Sequence, residues 1–250
     1  MTAIITGASS GLGREFIEAV CKLMPEINEF WLVARRKERL DELIAQLPDG
    51  KAGFALALDI SCKDGWDALI NELAAKKPAV KLLINCAGAG KMGDVADSDV
   101  DTQVKMVSLN ASGLTAVTTA VLPYMKSGSK IINVSSISSF CPNTGLNVYS
   151  ATKAYVSFFS RALGLELKER GITVTSVCPG PMETEFLGLA EIQSKTFDRL
   201  PRTDPKMAAL GAVKAAKRGK AVYTPRFFFK LYRVVAKILP QSLMIHLART

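Results

Sequence analysis

Tyr149 and Lys153 stand four residues apart in Tyr149-Ser150-Ala151-Thr152-Lys153, a spacing that puts both side chains on one face of a helix. A phenol with a pKa of about 10 is a poor proton donor or acceptor at neutral pH, but a neighbouring ammonium stabilises the phenolate and draws that pKa towards the working range. Such a pair can run general acid/base chemistry without a histidine. The single histidine, His246, falls near the C-terminus, where no catalytic pattern surrounds it. Asn133-Val134-Ser135-Ser136 closes a β-rich run thirteen residues before Tyr149. That is the carboxyl edge of the expected sheet, where open α/β folds bind ligands, and it lifts the pair above the many Y-x-x-x-K spacings found on solvated helices. Alternation along the strand turns the two serine hydroxyls to opposite sides.

A second constellation, Thr6-Gly7-Ala8-Ser9-Ser10-Gly11-Leu12-Gly13, joins the first β-rich run to the first amphipathic helical one. A helix start offers unpaired N–H groups and a positive dipole end, and glycines let a pyrophosphate approach the backbone. The spacing is G-x-x-x-G-x-G, so the loop reads as a dinucleotide cradle of a different type from G-x-G-x-x-G. The same residues match the G-x-S-x-G nucleophile elbow, which would make Ser9 a hydrolase nucleophile, but that elbow needs a histidine base. Gly88-Ala89-Gly90-Lys91-Met92-Gly93 meets the other glycine pattern, yet Asp94 and Asp97 follow where a helix should open on a phosphate, so it reads as a loop. The second strand ends Ala34-Arg35-Arg36, with no Asp or Glu to bind a ribose 2′-hydroxyl. A guanidinium at Arg35 can grip a 2′-phosphate through two hydrogen bonds, and Arg14 adds positive charge beside the loop. NADP(H) is therefore the expected cofactor, with NAD(H) the alternate; the plainer reading makes Arg35, Arg36, Lys37 and Arg39 one solvated helix start.

The elements that must carry these groups alternate from the first residue. Strands are predicted at 2–6, 29–34, 53–58, 81–85, 130–135, 172–178 and 221–224, and helices at 11–23, 37–46, 64–76, 98–125, 147–169 and 205–217, with Ser98 as an N-cap and 181–204 irregular. Such alternation marks a single α/β domain: a Rossmann-type doubly wound parallel sheet of about seven strands with helices on both faces. With 250 residues, 48% of them hydrophobic, the chain can bury a sizeable core, which excludes bulk disorder. Residues 1–224 form the expected domain, and 225–250 extend it as a basic amphipathic tail. Charge divides unevenly: residues 205–250 hold ten Lys and Arg and no acid, whereas 1–204 hold 22 bases and 23 acids. A nucleic-acid domain spreads basic charge over its body, so nucleic acid is not the expected partner. Cys21, Cys62, Cys86, Cys141 and Cys178 are scattered without metal-ligand spacing, so reduced thiols and no metal are expected. No uninterrupted apolar run of spanning length and no signal-like N-terminus is apparent, and a cytoplasmic protein is expected.

Taken together, these motifs resemble the short-chain dehydrogenase/reductases over residues 2 to about 184. The match runs in the family's order: the glycine loop, Asp59 after the third strand, Asn85-Cys86-Ala87-Gly88, Asn110, Ser136, Tyr149 with Lys153, and Pro179-Gly180 with Thr184. Cys86 replaces the family's usual second asparagine. The resemblance implies that Tyr149 protonates a substrate carbonyl oxygen while the cofactor supplies hydride to its carbon. It also implies that Lys153 lowers the phenol pKa and binds the nicotinamide ribose, that Ser136 polarises the carbonyl, and that Asn110 holds a water leading to solvent. Cofactor contacts fall on Gly7, Ser9, Ser10, Gly11, Leu12, Gly13, Arg14, Arg35, Asp59, Ile60, Asn85, Ala87, Gly88, Tyr149, Lys153, Pro179, Gly180 and Thr184, with Asp59 at the adenine, Asn85 near the adenosine ribose and Thr184 at the carboxamide. The substrate is expected among Ile137, Phe140, Cys141, Asn143, Met182, Phe186 and Leu187, a mostly apolar set with only Lys195 or Arg199 as counter-ions. That points to a hydrophobic ketone, aldehyde or alcohol. The alternative class is a noncatalytic NADP(H)-sensing or membrane-associated scaffold, against which the complete set Asn110, Ser136, Tyr149 and Lys153 argues. A homodimer or homotetramer is expected.

The tail repeats apolar residues at helical spacing from Phe228 to Leu239, with Lys230, Arg233 and Lys237 on another side and Pro240 as a stop. The expected helix packs its aromatic side over the substrate region or a partner subunit; adsorption to an anionic membrane surface is the alternative.

Overall fold

The computed structural model describes residues 1–191 and 198–247. Seven strands, β1 (Thr2–Thr6), β2 (Glu29–Ala34), β3 (Ala52–Ala57), β4 (Val80–Asn85), β5 (Met125–Val134), β6 (Thr173–Val177) and β7 (Val222–Tyr223), form one sheet in the order β3-β2-β1-β4-β5-β6-β7. Every neighbouring pair is parallel. The order reverses between β1 and β4, so the crevice for a ligand opens above their carboxyl ends.

Alternation along the strands builds two apolar layers. Ala3, Ile5, Leu32 and Ile84 face one side, under α1 (Gly11–Leu23), α2 (Lys37–Ala45) and α8 (Pro205–Lys217). Ile4, Trp31, Leu83 and Ile131 face the other, under α3 (Lys63–Lys76), α5 (Leu114–Val121) and α6 (Asn147–Glu166). Parallel strands covered on both faces read as near-continuous apolar runs, which is how Ala3-Ile4-Ile5 and Lys81-Leu82-Leu83-Ile84 stand in the sequence.

Three elements depart from the sequence reading. The helix expected over 98–125 is interrupted: α4 (Val100–Val107) passes through a π-helical turn at Ser108–Gly113 into α5. Its N-cap is Asp99, whose carboxylate accepts from the Thr102 N–H at 2.8 Å, while Ser98 closes the preceding 3₁₀ turn. β5 begins at Met125, five residues before the predicted start, because Lys126-Ser127-Gly128-Ser129 carries a polar stretch and a glycine at φ +81° that hide the strand pattern. Within the segment expected to be irregular, Glu185–Leu189 forms a short helix, α7. By length and composition the run Val100–Tyr124 is apolar enough to cross a membrane. Here it belongs to the packed body: Val117 and Val121 are buried against the sheet, and Asn110 at its centre is hydrogen-bonded to Thr152.

The tail forms α9 (Phe227–Ile238) and, past Pro240, α10 (Gln241–Leu247). Phe229 is fully buried, its ring lying where Gly180 lacks a Cβ, so α9 is keyed into the turn after β6.

Candidate active site

A cleft of about 640 Å³ lies at the carboxyl edge of the sheet. Its first half is built on the β1–α1 turn. Gly7 adopts φ +67° and Gly11 φ +51°, and a Cβ on Gly7 would fall 2.7 Å from the Ala87 backbone. A Cβ on Gly13 would collide with the Gly7 carbonyl, so the helix can sit close to the strand only with glycine there. Ser10 caps α1 without a side-chain hydrogen bond, and no acid stands in the first turn. The opening N–H groups of α1 thus keep both their donors and their positive end for an anion.

Gly7, Ser9, Ser10, Gly11, Leu12 and Gly13 line this half, with Arg35, Asp59, Ile60, Ala87 and Gly88. Asp59 is held below its ordinary pKa: burial acts to raise it, but hydrogen bonds from the Ser61 hydroxyl (2.7 Å) and N–H (2.9 Å), with Arg35 nearby, outweigh that. Arg35 is exposed at the rim. Arg36, which sequence reasoning treated only as part of a helix start, also lines the cleft; it donates to Ser9 Oγ at 3.1 Å and to Glu185 at 3.1 Å. Arg39 donates to the same carboxylate at 2.6 Å, so α7 is tied across the mouth to the start of α2, and Glu185 is held well below the usual carboxylate range by Arg39 and Arg36.

Ser136, Tyr149 and Lys153 meet at the junction of the two halves. Ser136 ends β5 and its hydroxyl hydrogen-bonds the Tyr149 phenol. Ser135 turns the other way, donating to the Lys153 carbonyl at 2.7 Å and pairing with Ser157 at 2.9 Å. Lys153 Nζ lies 5.7 Å from the Tyr149 ring centroid and donates to the Val134 carbonyl at 3.1 Å. Burial lowers Lys153 to about 8 and raises Tyr149 to about 12. The phenol is therefore not drawn towards neutrality by the lysine as expected: its desolvation outweighs a cation that is itself buried and spent on a backbone carbonyl.

Five expected site residues stand outside the cleft lining. Arg14 borders an adjoining polar recess with Arg39, Glu42 and Glu185, which shares Ser9, Ser10 and Gly11 with the cleft. Asn85 points beneath the floor, donating to Thr118 and Asn133 at 2.9 Å each. Asn110 acts on the chain: its amide exchanges 2.8 Å hydrogen bonds with the Ala89 N–H and carbonyl and donates to Thr152 at 3.0 Å. A Cβ on Gly88 would lie 3.2 Å from both Asn110 Oδ1 and Lys153 Nζ, so the three pack together, Gly88 and Lys153 in the cleft lining and Asn110 behind them. Phe140 and Cys141 sit one layer back, Phe140 against the Tyr232 ring (centroids 6.1 Å apart) and Cys141 hydrogen-bonded to the Tyr232 phenol.

The second half is apolar. Ile137, Asn143, Met182, Phe186 and Leu187 line it as expected, alongside Pro179, Gly180 and Thr184, and the Phe186 ring leans over Tyr149 with centroids 5.7 Å apart. Of the two expected counter-ions, Lys195 lies outside the described residues and Arg199 is exposed rather than in the lining. Leu146, Leu189 and Leu200 add to this wall, and Phe228, Phe229, Tyr232, Val235 and Met244 complete it, so α9 lays its aromatic side over the cleft, the first of the two coverings expected of the tail. Phe228, Tyr232 and Val235 recur at i, i+4 and i+7, the helical period that made this side legible.

The family described as short chain dehydrogenase matches residues 1–194. The chain is 35% identical over 192 residues to a short chain dehydrogenase of Pseudocercospora fijiensis, a match covering 74% of this chain and 60% of that one. It is 33% identical over 216 residues to the very-long-chain 3-oxoacyl-CoA reductase of Bos taurus, covering 82% of this chain and 66% of that one, so it spans less than two thirds of the length of either relative. Among solved structures it superposes on a short-chain dehydrogenase from Sphingobium yanoikuyae in complex with NADPH with a TM-score of 0.83 and 31% identity, covering 97% and 94% of the two chains.

Proposed function

The chain belongs to the short-chain dehydrogenase family of oxidoreductases, and we propose that its reaction is the NADPH-dependent reduction of a ketone or aldehyde carbonyl in a hydrophobic small molecule, or the reverse oxidation. One observation carries this reading: Ser136, Tyr149 and Lys153 converge where a glycine-walled anion cradle meets an apolar pocket. The uncapped start of α1 and the exposed Arg35 fit the pyrophosphate and 2′-phosphate of NADP(H), and the likeness to a structure holding NADPH agrees with that choice. When bound, the dinucleotide supplies the hydride.

The rest belongs to side chains of this chain. Ser136 holds the carbonyl oxygen by its hydroxyl, where negative charge develops. Tyr149, kept protonated by burial, gives its proton to that oxygen only once it has become strongly basic. The Lys153 ammonium, charged at neutral pH, stabilises the phenolate left behind and holds the ribose hydroxyls. Thr184 and the Pro179-Gly180 turn hold the carboxamide side, and Asn110 fixes the Gly88-Ala89 wall behind Lys153 and carries the water that resupplies the proton. Phe186, Leu187, Tyr232 and Val235 exclude water and favour an apolar substrate. We place the enzyme in the cytoplasm as a homodimer or homotetramer; exposed Val100 and Val104 on α4 and Phe158 and Leu165 on α6 suit such an interface.

A panel of lipophilic and carboxylated ketones, followed by NADPH absorbance, tests the reading: the lipophilic ones turn over and NADH serves less well. Reduction needs the lysine charged and the phenol protonated. As Lys153 titrates near 8 and Tyr149 near 12, kcat/KM for reduction is flat below pH 8 and falls about tenfold per unit above it. A profile still flat at pH 9.5, or no turnover on any lipophilic carbonyl, removes the assignment.

A further inference from the structure

Helix α9 carries an apolar row that the cleft does not use. Phe227, Leu231, Val234 and Ile238 recur at i, i+4, i+7 and i+11, which aligns them on one face, and they are exposed by 79%, 53%, 48% and 73%. None of the four lines the cleft, whereas Phe228 and Val235, immediately round the helix, do. Opposite them Phe229 is fully buried. A helix apolar on most of its circumference is ordinarily covered all round, yet here one face is left open, and Leu243 of α10 is exposed as well.

The charges beside the row indicate what covers it. Lys230 and Lys237 border it on the side away from the cleft, Arg226 precedes it, and all three are exposed. Among the described residues none of the three has an ion-pair partner. No acid occurs after Asp204, so a second copy brought face to face by a two-fold axis would set cation against cation. An aromatic-led apolar row edged by lysines is suited instead to the headgroup boundary of an anionic bilayer, where the row enters the acyl region and the ammonium groups meet phosphates.

We propose that α9, with the start of α10, docks this chain on an anionic lipid surface, through Phe227, Leu231, Val234 and Ile238 inserted and Lys230 and Lys237 at the headgroups. Because Phe228 and Val235 lie next to the row and line the cleft, docking turns the cleft mouth towards the lipid, from which an apolar substrate enters; this last clause alone rests on the proposed reaction.

The test is co-sedimentation of the full chain with vesicles of phosphatidylcholine and of phosphatidylcholine mixed with phosphatidylglycerol, read without substrate so that docking is scored apart from catalysis. The wild type pellets with the mixed vesicles and much less with the neutral ones, and salt weakens it. Leu231→Ser/Ile238→Ser and, separately, Lys230→Glu/Lys237→Glu each bind the mixed vesicles about tenfold more weakly, while their melting temperatures and NADPH binding match the wild type. The charge-reversed surface pair decides the matter alone should the serine variant not fold. A wild type indifferent to anionic lipid overturns the proposal, as does equal binding by wild type and variants. A wild-type dimer that Leu231→Ser/Ile238→Ser separates in sedimentation velocity also overturns it, by giving the row to a second copy.

Discussion

One half of the cleft is walled mainly by backbone: Gly7, Gly11, Gly13 and Gly88, the ends of β1, β2 and β4, and the opening turn of α1. The other half is walled by side chains drawn from separate stretches, Ile137 to Leu146, Met182 to Leu189, and the two tail helices. The contrast teaches where change is tolerated. A backbone wall has little spare volume, since a carbon added on Gly7 or Gly13 meets a main-chain atom and one on Gly11 or Gly88 crowds Thr184 or the Asn110 and Lys153 side chains, whereas a side-chain wall can be recut residue by residue with the fold intact. The proposed reaction centre sits on the seam, and substitutions there and on either side of it test the division.

The largest effect belongs to the seam. Tyr149→Phe removes the proposed proton donor while keeping the ring that packs on Phe186, so kcat falls by a factor of about 1,000 and NADPH affinity, measured by fluorescence titration, stays within about twofold. Residual turnover near that of the wild type would leave the seam without a chemical role. Next comes the backbone half. Gly13→Ala forces a Cβ against the Gly7 carbonyl, which costs about 2 kcal/mol in stability and weakens cofactor binding about a hundredfold, as calorimetry would show. A variant that binds NADPH normally would mean the wall yields after all.

Substitution of the side-chain half is milder and falls on different constants. Phe228→Ala raises KM for a bulky apolar ketone about tenfold, by removing roughly 1–2 kcal/mol of apolar contact, and leaves cofactor affinity untouched. Were cofactor and ketone affinity to fall together, the two halves would be one unit. Smallest is the exposed rim: Arg35→Ala narrows the preference for NADPH over NADH about fivefold, as expected of a solvated ion pair. Equal use of both cofactors by the wild type would sink the 2′-phosphate assignment.

The same division governs what could be read before the structure. The backbone half was legible, because Gly7, Gly11 and Gly13 are demanded by positive φ angles and close approach, and such demands leave a fixed spacing. The Tyr149–Lys153 spacing was legible because one helix carries both. Phe228, Tyr232 and Val235 were legible as an amphipathic helix whose aromatic side covers either the cleft or a partner subunit; which of the two it covers was not legible, since apolar packing imposes no motif. Arg14 and Asn85 stand outside the cleft lining for a related reason: proximity in sequence to a binding loop does not determine to which side of a helix or strand a side chain is turned. The raised phenol of Tyr149 was beyond reach too, because spacing tells which charge is near but not how much water is gone.

Phe229 occupies the volume that Gly180 leaves empty, which makes the C-terminal extension and the body a matched pair for engineering. A chimera that grafts a relative's extension after residue 224 inherits a new substrate wall together with a new tenant for that notch. Grafts that keep an aromatic ring opposite Gly180 would assemble and could be screened for altered selectivity with the glycine-walled half unchanged, whereas those that lose it would open a void beside the Pro179-Gly180 turn. Filters for a recombination library would therefore begin with this one ring and this one glycine, ahead of any residue that touches substrate.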